Sequence, residues 1–138
     1  MRIATPKANA MLVCDTVITE QGTKKKSLIG IFESIGARKF PFVHPFLSVY
    51  VKLTEANGAY HFRLEMVNLK SNQVTGEGKI PQEILIDNPL KSHELVFNLR
   101  GLRFNEPGEY EFRMYSNDQI FAQKTFYVQE IKANRPPI

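Results

Sequence analysis

The segment from Asn105 to Asp118 constrains the fold of this chain more than any other part of the sequence. It begins with Glu106-Pro107-Gly108, in which the proline fixes φ and the glycine can adopt positive φ, as a tight turn requires. Polar and apolar residues then alternate over Glu109–Met114, which places the apolar side chains on one face of an extended strand. Asn117-Asp118 follows, and both residues tolerate the left-handed conformation of a two-residue hairpin turn. The segment therefore predicts a turn, a strand and a second turn.

The same pattern of short alternating stretches separated by turn residues recurs along the chain. Further strands are predicted over Ala10–Glu20, Ser27–Phe32, Leu47–Leu53, Tyr60–Leu69, Gln73–Ile80, Glu94–Leu99 and Gln119–Ile131. No stretch of helical length shows the period of an amphipathic helix. About seven to nine strands of this kind predict an all-β fold, a sandwich of two mostly antiparallel sheets. A closed barrel is the alternative.

Several positions carry more detailed expectations. Ser27–Phe32 is apolar at both odd and even positions, which predicts a central strand covered on two faces. Gly30 within it predicts a close backbone approach or a bulge. Asn57-Gly58 is the strongest hairpin signal in the sequence. The apolar parity changes at Met66-Val67, which predicts a bulge. Pro81–Ser92 is irregular, and we expect it to bridge the two sheets.

The length of 138 residues fits one domain with a single core. We expect residues 1–9 to form a flexible N-terminal arm, because they carry Pro6 and Lys7 without any periodicity. Residues 10–131 form the predicted sandwich domain. Residues 132–138 include consecutive prolines and are expected to be a flexible tail.

Composition and charge bound the class of protein. Hydrophobic residues make up 43% and charged residues 23% of the chain, as in a soluble globular protein. The net charge of +4 is mildly basic, but no stripe of Lys and Arg interleaved with aromatic residues indicates nucleic-acid binding. The single cysteine, Cys14, excludes an internal disulfide and favours a reducing compartment.

No segment indicates export or membrane insertion. The apolar run near the N-terminus, Ala10–Cys14, falls short of the roughly 7–15 residues of a secretory signal core. No window approaches the roughly 20 apolar residues that cross a bilayer as a helix. We therefore expect a cytoplasmic protein without membrane insertion.

Two parts of the sequence resemble known proteins. The unit Pro107–Phe112, followed by a hairpin and a final strand, is similar to the last two strands of many immunoglobulin-like sandwiches. Three further segments, Leu12–Ile18, Ser27–Phe32 and Phe40–Pro45, resemble an uncharacterised bacterial family that is catalogued only as a domain of unknown function. The resemblance covers most of residues 10–131 and implies a small bacterial β-sandwich of immunoglobulin-like fold. It implies no catalytic or binding residues.

Cys14 is the residue to consider as a catalytic nucleophile. A reactive cysteine needs a neighbour that lowers the pKa of its thiol, usually a histidine or a helix dipole. Nothing in the sequence places His44, His61 or His93 beside it. We expect Cys14 to be buried and inert.

The acidic residues form no catalytic pair by sequence. Asp15 lies among apolar residues, and we expect it to face inward, where it caps turn amides or pairs with an arginine such as Arg38. Glu109 and Glu111 share one strand face, which the alternation assigns to solvent rather than to a glycosidase pair.

No pattern points to a metal or a cofactor. Zinc sites need closely spaced Cys and His residues, which this sequence lacks. Asp87-Asn88 and Asn117-Asp118 are better explained as turns than as calcium loops. Gly76–Lys79 lacks the second half of a phosphate-binding motif. We predict no catalytic residue, no cofactor and no metal site.

The leading functional hypothesis is a non-enzymatic protein-interaction or structural module whose partner protein the sequence does not identify. The candidate interaction patch is Arg38, Lys39, Phe40 and Phe42, in a connector whose prolines are predicted to prevent regular sheet pairing. The alternative for the two phenylalanines is that they plug one end of the sandwich.

Binding of a small molecule or a carbohydrate is the alternative function. Tyr50, Tyr115 and Tyr127 are the aromatic residues that could stack on a sugar, although the chain has no Trp. An enzyme ranks last, because no reactive constellation is found.

Overall fold

The computed structural model describes residues 3–132, which form eleven strands connected by turns and short links. The strands are β1 (Lys7–Thr19), β2 (Lys26–Ile31), β3 (Ser34–Ala37), β4 (Phe42–Thr54), β5 (Gly58–Tyr60), β6 (Phe62–Asn68), β7 (Gln73–Lys79), β8 (Ile84–Ile86), β9 (His93–Phe104), β10 (Gly108–Ser116) and β11 (Gln119–Glu130). In this part of the chain, no helix has the length and apolar character needed to cross a membrane.

The strands form two larger sheets and one small one. Sheet A holds four strands in the order β2-β1-β4-β9, and sheet B holds five in the order β3-β11-β10-β6-β7. β5 and β8 form a separate two-stranded sheet. All pairs are antiparallel except β3 with β11. The predicted all-β sandwich is confirmed, and over residues 3–132 neither large sheet closes into the alternative barrel.

The core lies between the inner faces of sheets A and B, because successive side chains of a strand point to opposite faces. In sheet A the register aligns Val13, Val49 and Phe97, and all three are buried. In sheet B it aligns Phe112 with Met66, and both are again buried. β-Branched and aromatic residues at these positions suit the pleated, half-covered surface of a strand.

Aromatic rings join the two sheets at one end of the core. Phe104 of β9 lies edge-on to Tyr110 of β10, with ring centroids 5.0 Å apart, and to Phe126 of β11, at 6.0 Å. Phe112 stacks on Phe126 at 4.9 Å. Such pairs add about 0.5–1.5 kcal/mol each to the free energy gained by burial of their area.

The hairpin at Asn117-Asp118 is confirmed. Both residues have positive φ, 48° and 66°, and Ser116 pairs with Gln119 across the turn. The apolar residues of the preceding strand, from Tyr110 to Met114, are buried as the alternation predicted.

The prediction of a central strand at Ser27–Phe32 is wrong, because β2 is the edge strand of sheet A. Its isoleucines are exposed rather than covered, with relative residue exposures of 46% for Ile29 and 56% for Ile31. The predicted close approach at Gly30 is confirmed. Gly30 has a φ of 67°, and a Cβ atom there would overlap the carboxylate of Asp15.

The hairpin predicted at Asn57-Gly58 is also wrong. β4 before it belongs to sheet A, whereas β5 after it pairs only with β8 in the small sheet. The turn therefore carries the chain out of sheet A. Tyr60 fixes this crossing, since its hydroxyl donates to the Ala4 carbonyl at 2.5 Å and accepts the Asn57 amide at 2.8 Å.

The two prolines of the 38–45 connector do not prevent sheet pairing, contrary to the prediction. β4 begins directly after Pro41, and Pro45 lies inside it, opposite Gly101 of β9, between two ladder pairs. The inward-facing positions of β9 change there from Leu99 to Leu102. Gly101 has a φ of 62°, which allows this change of parity.

The remaining local predictions have mixed outcomes. The bulge at Met66-Val67 is confirmed by the register shift between β6 and β7. Pro81–Ser92 connects β7 of sheet B with β9 of sheet A, as predicted, and its residue Ile86 in β8 is buried. β1 begins at Lys7, earlier than the predicted domain start at residue 10, and the Ala4 amide donates to the Asn57 carbonyl at 3.3 Å. Residues 1–2 of the predicted arm and residues 133–138 of the predicted tail lie outside the described residues.

A substitution at Gly101 tests the change of parity in β9. Alanine there has free space, so the expected loss of about 1–2 kcal/mol in the free energy of unfolding comes from the left-handed backbone alone. Gly22→Ala is the matched control, because Gly22 also has free space, and it should change stability by less than about 0.5 kcal/mol. Urea unfolding measures both. Equal effects would show that the positive φ of Gly101 is not required.

Candidate functional site

The predicted interaction patch divides into two unlike halves. Arg38 and Lys39 are exposed, whereas Phe40 and Phe42 are half-buried and pack against the core. Phe42 stacks on Phe104 with ring centroids 6.5 Å apart. The expectation of an exposed aromatic surface is therefore corrected, because both rings pack against the core and Phe42 pairs with Phe104 of β9. A binding role for the patch stays a prediction.

Cys14 has the properties of a structural cysteine. It is fully buried, it lies opposite Ser48, and its thiol donates to the Thr16 carbonyl at 3.4 Å. Burial raises the pKa of the thiol, and the charge of Asp15 raises it further. Both effects disfavour the thiolate that a nucleophile requires.

Asp15 and His44 meet in a pocket, which the sequence did not indicate. The pocket has a volume of about 480 Å³ and opens between the end of sheet A and β3 of sheet B. Asp15 of β1 is on the inward face of the strand with Val13, as expected, but its side chain is exposed rather than buried. Its carboxylate makes no hydrogen bond or ion pair to any residue within 3–132. Phe32, Phe42 and His44 supply most of the aromatic surface of the pocket.

The ring of His44 is the unusual polar group of this pocket. Both ring nitrogens are buried and have no hydrogen-bond partner among the described residues. The ring lies between Phe32 and Phe42, with centroids 6.2 and 6.1 Å away. Burial lowers the pKa of His44, while the nearby Phe46 backbone, which does not meet hydrogen-bond geometry, and the Asp15 carboxylate oppose the shift. The ring is therefore neutral at pH 7, with one donor and one acceptor nitrogen.

The other histidines lie elsewhere. His61, between β5 and β6, is exposed and lies 3.1 Å from the Glu83 carboxylate. His93 begins β9, and its Nε2 is also buried without a hydrogen-bond partner within residues 3–132. Across residues 3–132, no group of three or more His, Cys, Asp or Glu side chains is placed to hold a metal ion.

The tyrosines that could stack on a sugar do not form one platform. Tyr50 belongs to sheet A and is buried, with its hydroxyl bonded to Glu94, and burial raises its pKa to about 12. Tyr115 and Tyr127 belong to β10 and β11 of sheet B. Tyr115 is covered by the Arg63 guanidinium, 3.9 Å from the ring centroid.

The outer face of sheet B carries a network of ion pairs. Arg113 lies 2.7 Å from the Glu111 carboxylate, and Arg63 lies 2.7 Å from Glu65 and 3.3 Å from Asp118. Glu111 is thus held by an arginine, while Glu109 is exposed. This arrangement suits a charged face in water and does not resemble a pair of glycosidase carboxylates.

The hairpin of β1 and β2 carries a second candidate site, here called the hairpin surface. It consists of Ile18, Ile29 and Ile31 with the lysines Lys24 and Lys25. The isoleucines are 53%, 46% and 56% exposed, and the two lysines at the tip are also exposed. Ile29 lies opposite Thr16, so Ile18 is its diagonal neighbour on the next strand.

The sequence indicates neither the pocket nor the hairpin surface. The apolar run of β2 predicts burial, although exposed isoleucines give the same pattern. Asp15 and His44 are brought together by the register of β1 on β4, for which the sequence carries no local signal. Phe40 and Phe42 indicate a candidate patch in the connector, but no pattern in the sequence indicates a role for His44.

Truncation of Phe42 tests the corrected view of the connector. Phe42→Ala should lower the free energy of unfolding by about 2 kcal/mol or more, since deletion of a fully buried Phe costs about 3–5 kcal/mol and Phe42 is half-buried. Lys39→Ala is the control and should stay within about 0.5 kcal/mol of the wild type. Thermal and urea unfolding measure the difference. A neutral Phe42→Ala would restore the exposed patch as an interface candidate.

The lowered pKa of His44 predicts an acid-sensitive step in stability. Below the ordinary value of 6.5, the unfolded chain binds a proton that the folded chain resists, so stability falls as the pH decreases. His44→Gln should remove this part of the pH dependence, and His61→Gln, at an exposed position, should keep it. Urea unfolding at about pH 7.5 and about pH 5.5 measures the slope. An unchanged slope in His44→Gln would contradict the assignment.

Solved structures similar to this chain come from proteins with different activities. The alkylpurine DNA glycosylase AlkC of Pseudomonas fluorescens, bound to DNA, aligns with a TM-score of 0.56 and 9% identity over 90% of this chain and 30% of that one. An immunoglobulin-like protein from Pseudomonas aeruginosa aligns with a TM-score of 0.48 and 14% identity over 91% of this chain and 98% of that one. A β-D-glucoside glucohydrolase from Trichoderma reesei gives 0.49 and 14%, over 91% and 19%. At these identities the likeness concerns the fold alone.

The sequence itself places the chain in a family. No curated protein is similar in sequence. A family model described as a family of unknown function, DUF6941, matches residues 9–129. The match includes the hairpin surface, Asp15 and His44, and the domain it covers is the two-sheet β-sandwich described above. The chain therefore belongs to the DUF6941 family, whose function is unknown.

Proposed function

We propose that this protein is a non-enzymatic interaction module that binds an acidic partner protein through the hairpin surface. The observation that carries the proposal is the exposure of Ile18, Ile29 and Ile31 on one hairpin, each close to half or more of its full area. The partner presents apolar side chains to the isoleucines and carboxylates to Lys24 and Lys25.

The apolar part of the surface supplies the affinity. Single exposed apolar residues are ordinary, but adjacent ones rimmed by charge are typical of an interaction site. Ile18 and Ile29 are diagonal neighbours on adjacent strands, so one apolar side chain of a partner can cover both. Each square ångström of apolar area removed from water contributes about 25 cal/mol.

The charged part of the surface selects the partner. Lys24 and Lys25 are exposed at the tip, and Lys26 donates to the Thr19 hydroxyl at 3.1 Å. The whole chain carries a net charge of +4, which favours approach of an acidic surface. The same charge disfavours a second copy of the chain at this position. Rim charges of this kind raise association rates and make binding salt-dependent.

The remaining chemistry supports a role without catalysis. Burial raises the pKa of the Cys14 thiol, so a thiolate nucleophile is disfavoured at neutral pH. The Glu111 carboxylate forms an ion pair with Arg113 at 2.7 Å, which disfavours a role as a catalytic acid or base. A buried single cysteine also suits the reducing cytoplasm, which we propose as the location.

Variants of the hairpin surface test the proposal. The tagged wild type should retain an acidic protein from cells of the native organism, and the purified pair should bind more weakly as salt rises. The double variant Ile18→Glu with Ile29→Glu should weaken that binding at least about tenfold, because it removes apolar area and adds repulsion. Val74→Glu is the matched control, since Val74 is 47% exposed on β7, the edge strand of sheet B.

The outcomes separate the proposal from its competitors. Lys24→Gln with Lys25→Gln should make the affinity for the partner depend less on salt concentration. The affinity at high salt should change little, because the lysine charges are screened there. Equal binding by the wild type and the Ile18→Glu, Ile29→Glu variant would overturn the proposed surface. Dimers of the wild type in light scattering, lost in that double variant, would assign the surface to a second copy instead. A catalytic activity lost in Cys14→Ala, with the fold intact, would overturn the non-enzymatic part.

A further inference from the structure

The pocket formed by Asp15, Phe32, Phe42 and His44 shares Ile31 with the hairpin surface but otherwise uses different side chains. By the alternation of β1, Asp15 shares its face with the core residue Val13, whereas Ile18 is on the opposite face. A ligand in the pocket therefore contacts the inner side of the hairpin, and a protein on the hairpin surface contacts its outer side.

The walls of the pocket are largely apolar and come from both sheets. Phe42 belongs to β4 of sheet A, Ile35 belongs to β3 of sheet B, and Phe32 lies on the link between β2 and β3. The volume of about 480 Å³ is within the range of roughly 300–1,000 Å³ that holds small organic ligands in proteins. The pocket is thus large enough for one aromatic ring with a short chain.

Two polar groups in the pocket lack partners within residues 3–132. The Asp15 carboxylate stands at the rim, held over the backbone of Gly30, where a side chain would overlap it. Both nitrogens of the His44 ring are buried at the wall without a hydrogen bond. A buried nitrogen without a partner costs about 1–3 kcal/mol, and a ligand toward which the ring turns recovers this free energy through a hydrogen bond. Fixed polar groups without protein partners in an apolar pocket are typical of a binding site.

The charges of these groups select the ligand. Asp15 brings a negative charge, and the neutral ring of His44 brings one donor and one acceptor. Within residues 3–132 no Lys or Arg lines the pocket, so the described walls offer an anionic ligand only the repulsion of the carboxylate. An ammonium group donates hydrogen bonds that the carboxylate accepts, and an aromatic ring carried by the same ligand packs against Phe32 and Phe42.

We propose that this pocket binds a small primary amine, with its ammonium group on Asp15 and its apolar or aromatic body against Phe32, Phe42 and the His44 ring that lies between them. The site shares only Ile31 with the hairpin surface, so the Asp15→Asn variant and the Ile18→Glu, Ile29→Glu variant test the two sites separately.

A matched set of probes tests the proposed chemistry. 2-Phenylethylamine, 2-phenylethanol and phenylacetate share a ring and a short chain but differ in charge. Calorimetry and two-dimensional NMR on the full chain should show that the amine binds, that the alcohol binds at least about tenfold more weakly, and that phenylacetate is weaker still. Equal binding of the amine and phenylacetate, or no binding of the amine, would overturn the proposal.

Substitution of Asp15 tests whether the amine binds at this carboxylate. Asp15→Asn should weaken 2-phenylethylamine at least about tenfold and leave 2-phenylethanol almost unchanged, because only the amine uses the charge. Asp87→Asn is the control, since Asp87 is an exposed carboxylate outside the pocket. Loss of amine binding in both variants, or in neither, would refute the role of Asp15.

His44→Phe separates a binding role from a structural one. The variant removes two unsatisfied buried nitrogens, so it should unfold at a higher temperature than the wild type and yet bind the amine more weakly. Circular dichroism confirms that the fold is retained. A destabilised His44→Phe would show that the ring serves the fold, and unchanged amine binding would remove His44 from the site.

Discussion

The contact of Phe104 with Tyr110 and Phe126 is the interaction on which the arrangement of this molecule depends. Phe104 comes from sheet A, and the other two rings come from sheet B, with edge-on contacts of 5.0 and 6.0 Å between centroids. Phe42 stacks on the same Phe104. Because Phe42 also flanks His44, the ring cluster that holds the sheets together fixes one wall of the pocket. The core and the candidate ligand site thus share one set of aromatic contacts.

The hairpin of β1 and β2 organises both candidate sites by strand alternation. Cys14 and Asp15 are adjacent and therefore point to opposite faces, so one side chain is buried opposite Ser48 and the other stands in the pocket. The same alternation leaves Ile18 and Ile29 on the outside. β2 lies at the end of sheet A, where nothing within residues 3–132 covers the outer side of its isoleucines, so an apolar sequence is combined with exposed side chains.

The parts of the fold that the sequence predicts are those set by local geometry. Asn117-Asp118 and Met66-Val67 behave as expected because left-handed turns and changes of apolar parity are properties of a few adjacent residues. Asn57-Gly58 fails because a turn signal does not say which sheet receives the next strand. The pocket lies beyond such reasoning, since Asp15 and His44 are neighbours only through the register of two long strands. The prediction that Pro45 prevents sheet pairing fails for a similar reason. Its missing amide donor is tolerated because Pro45 lies opposite Gly101, between two ladder pairs.

The conformation of Gly30 has a consequence for how other chains can approach this protein. A free edge strand exposes a row of amide and carbonyl groups that any extended segment can copy, and such edges promote aggregation. The left-handed residue at position 30 interrupts that row in the middle of a six-residue strand. A foreign strand therefore finds too few aligned groups to extend the sheet. Recognition at this edge must then depend on side chains, which differ between proteins, rather than on the backbone, which does not.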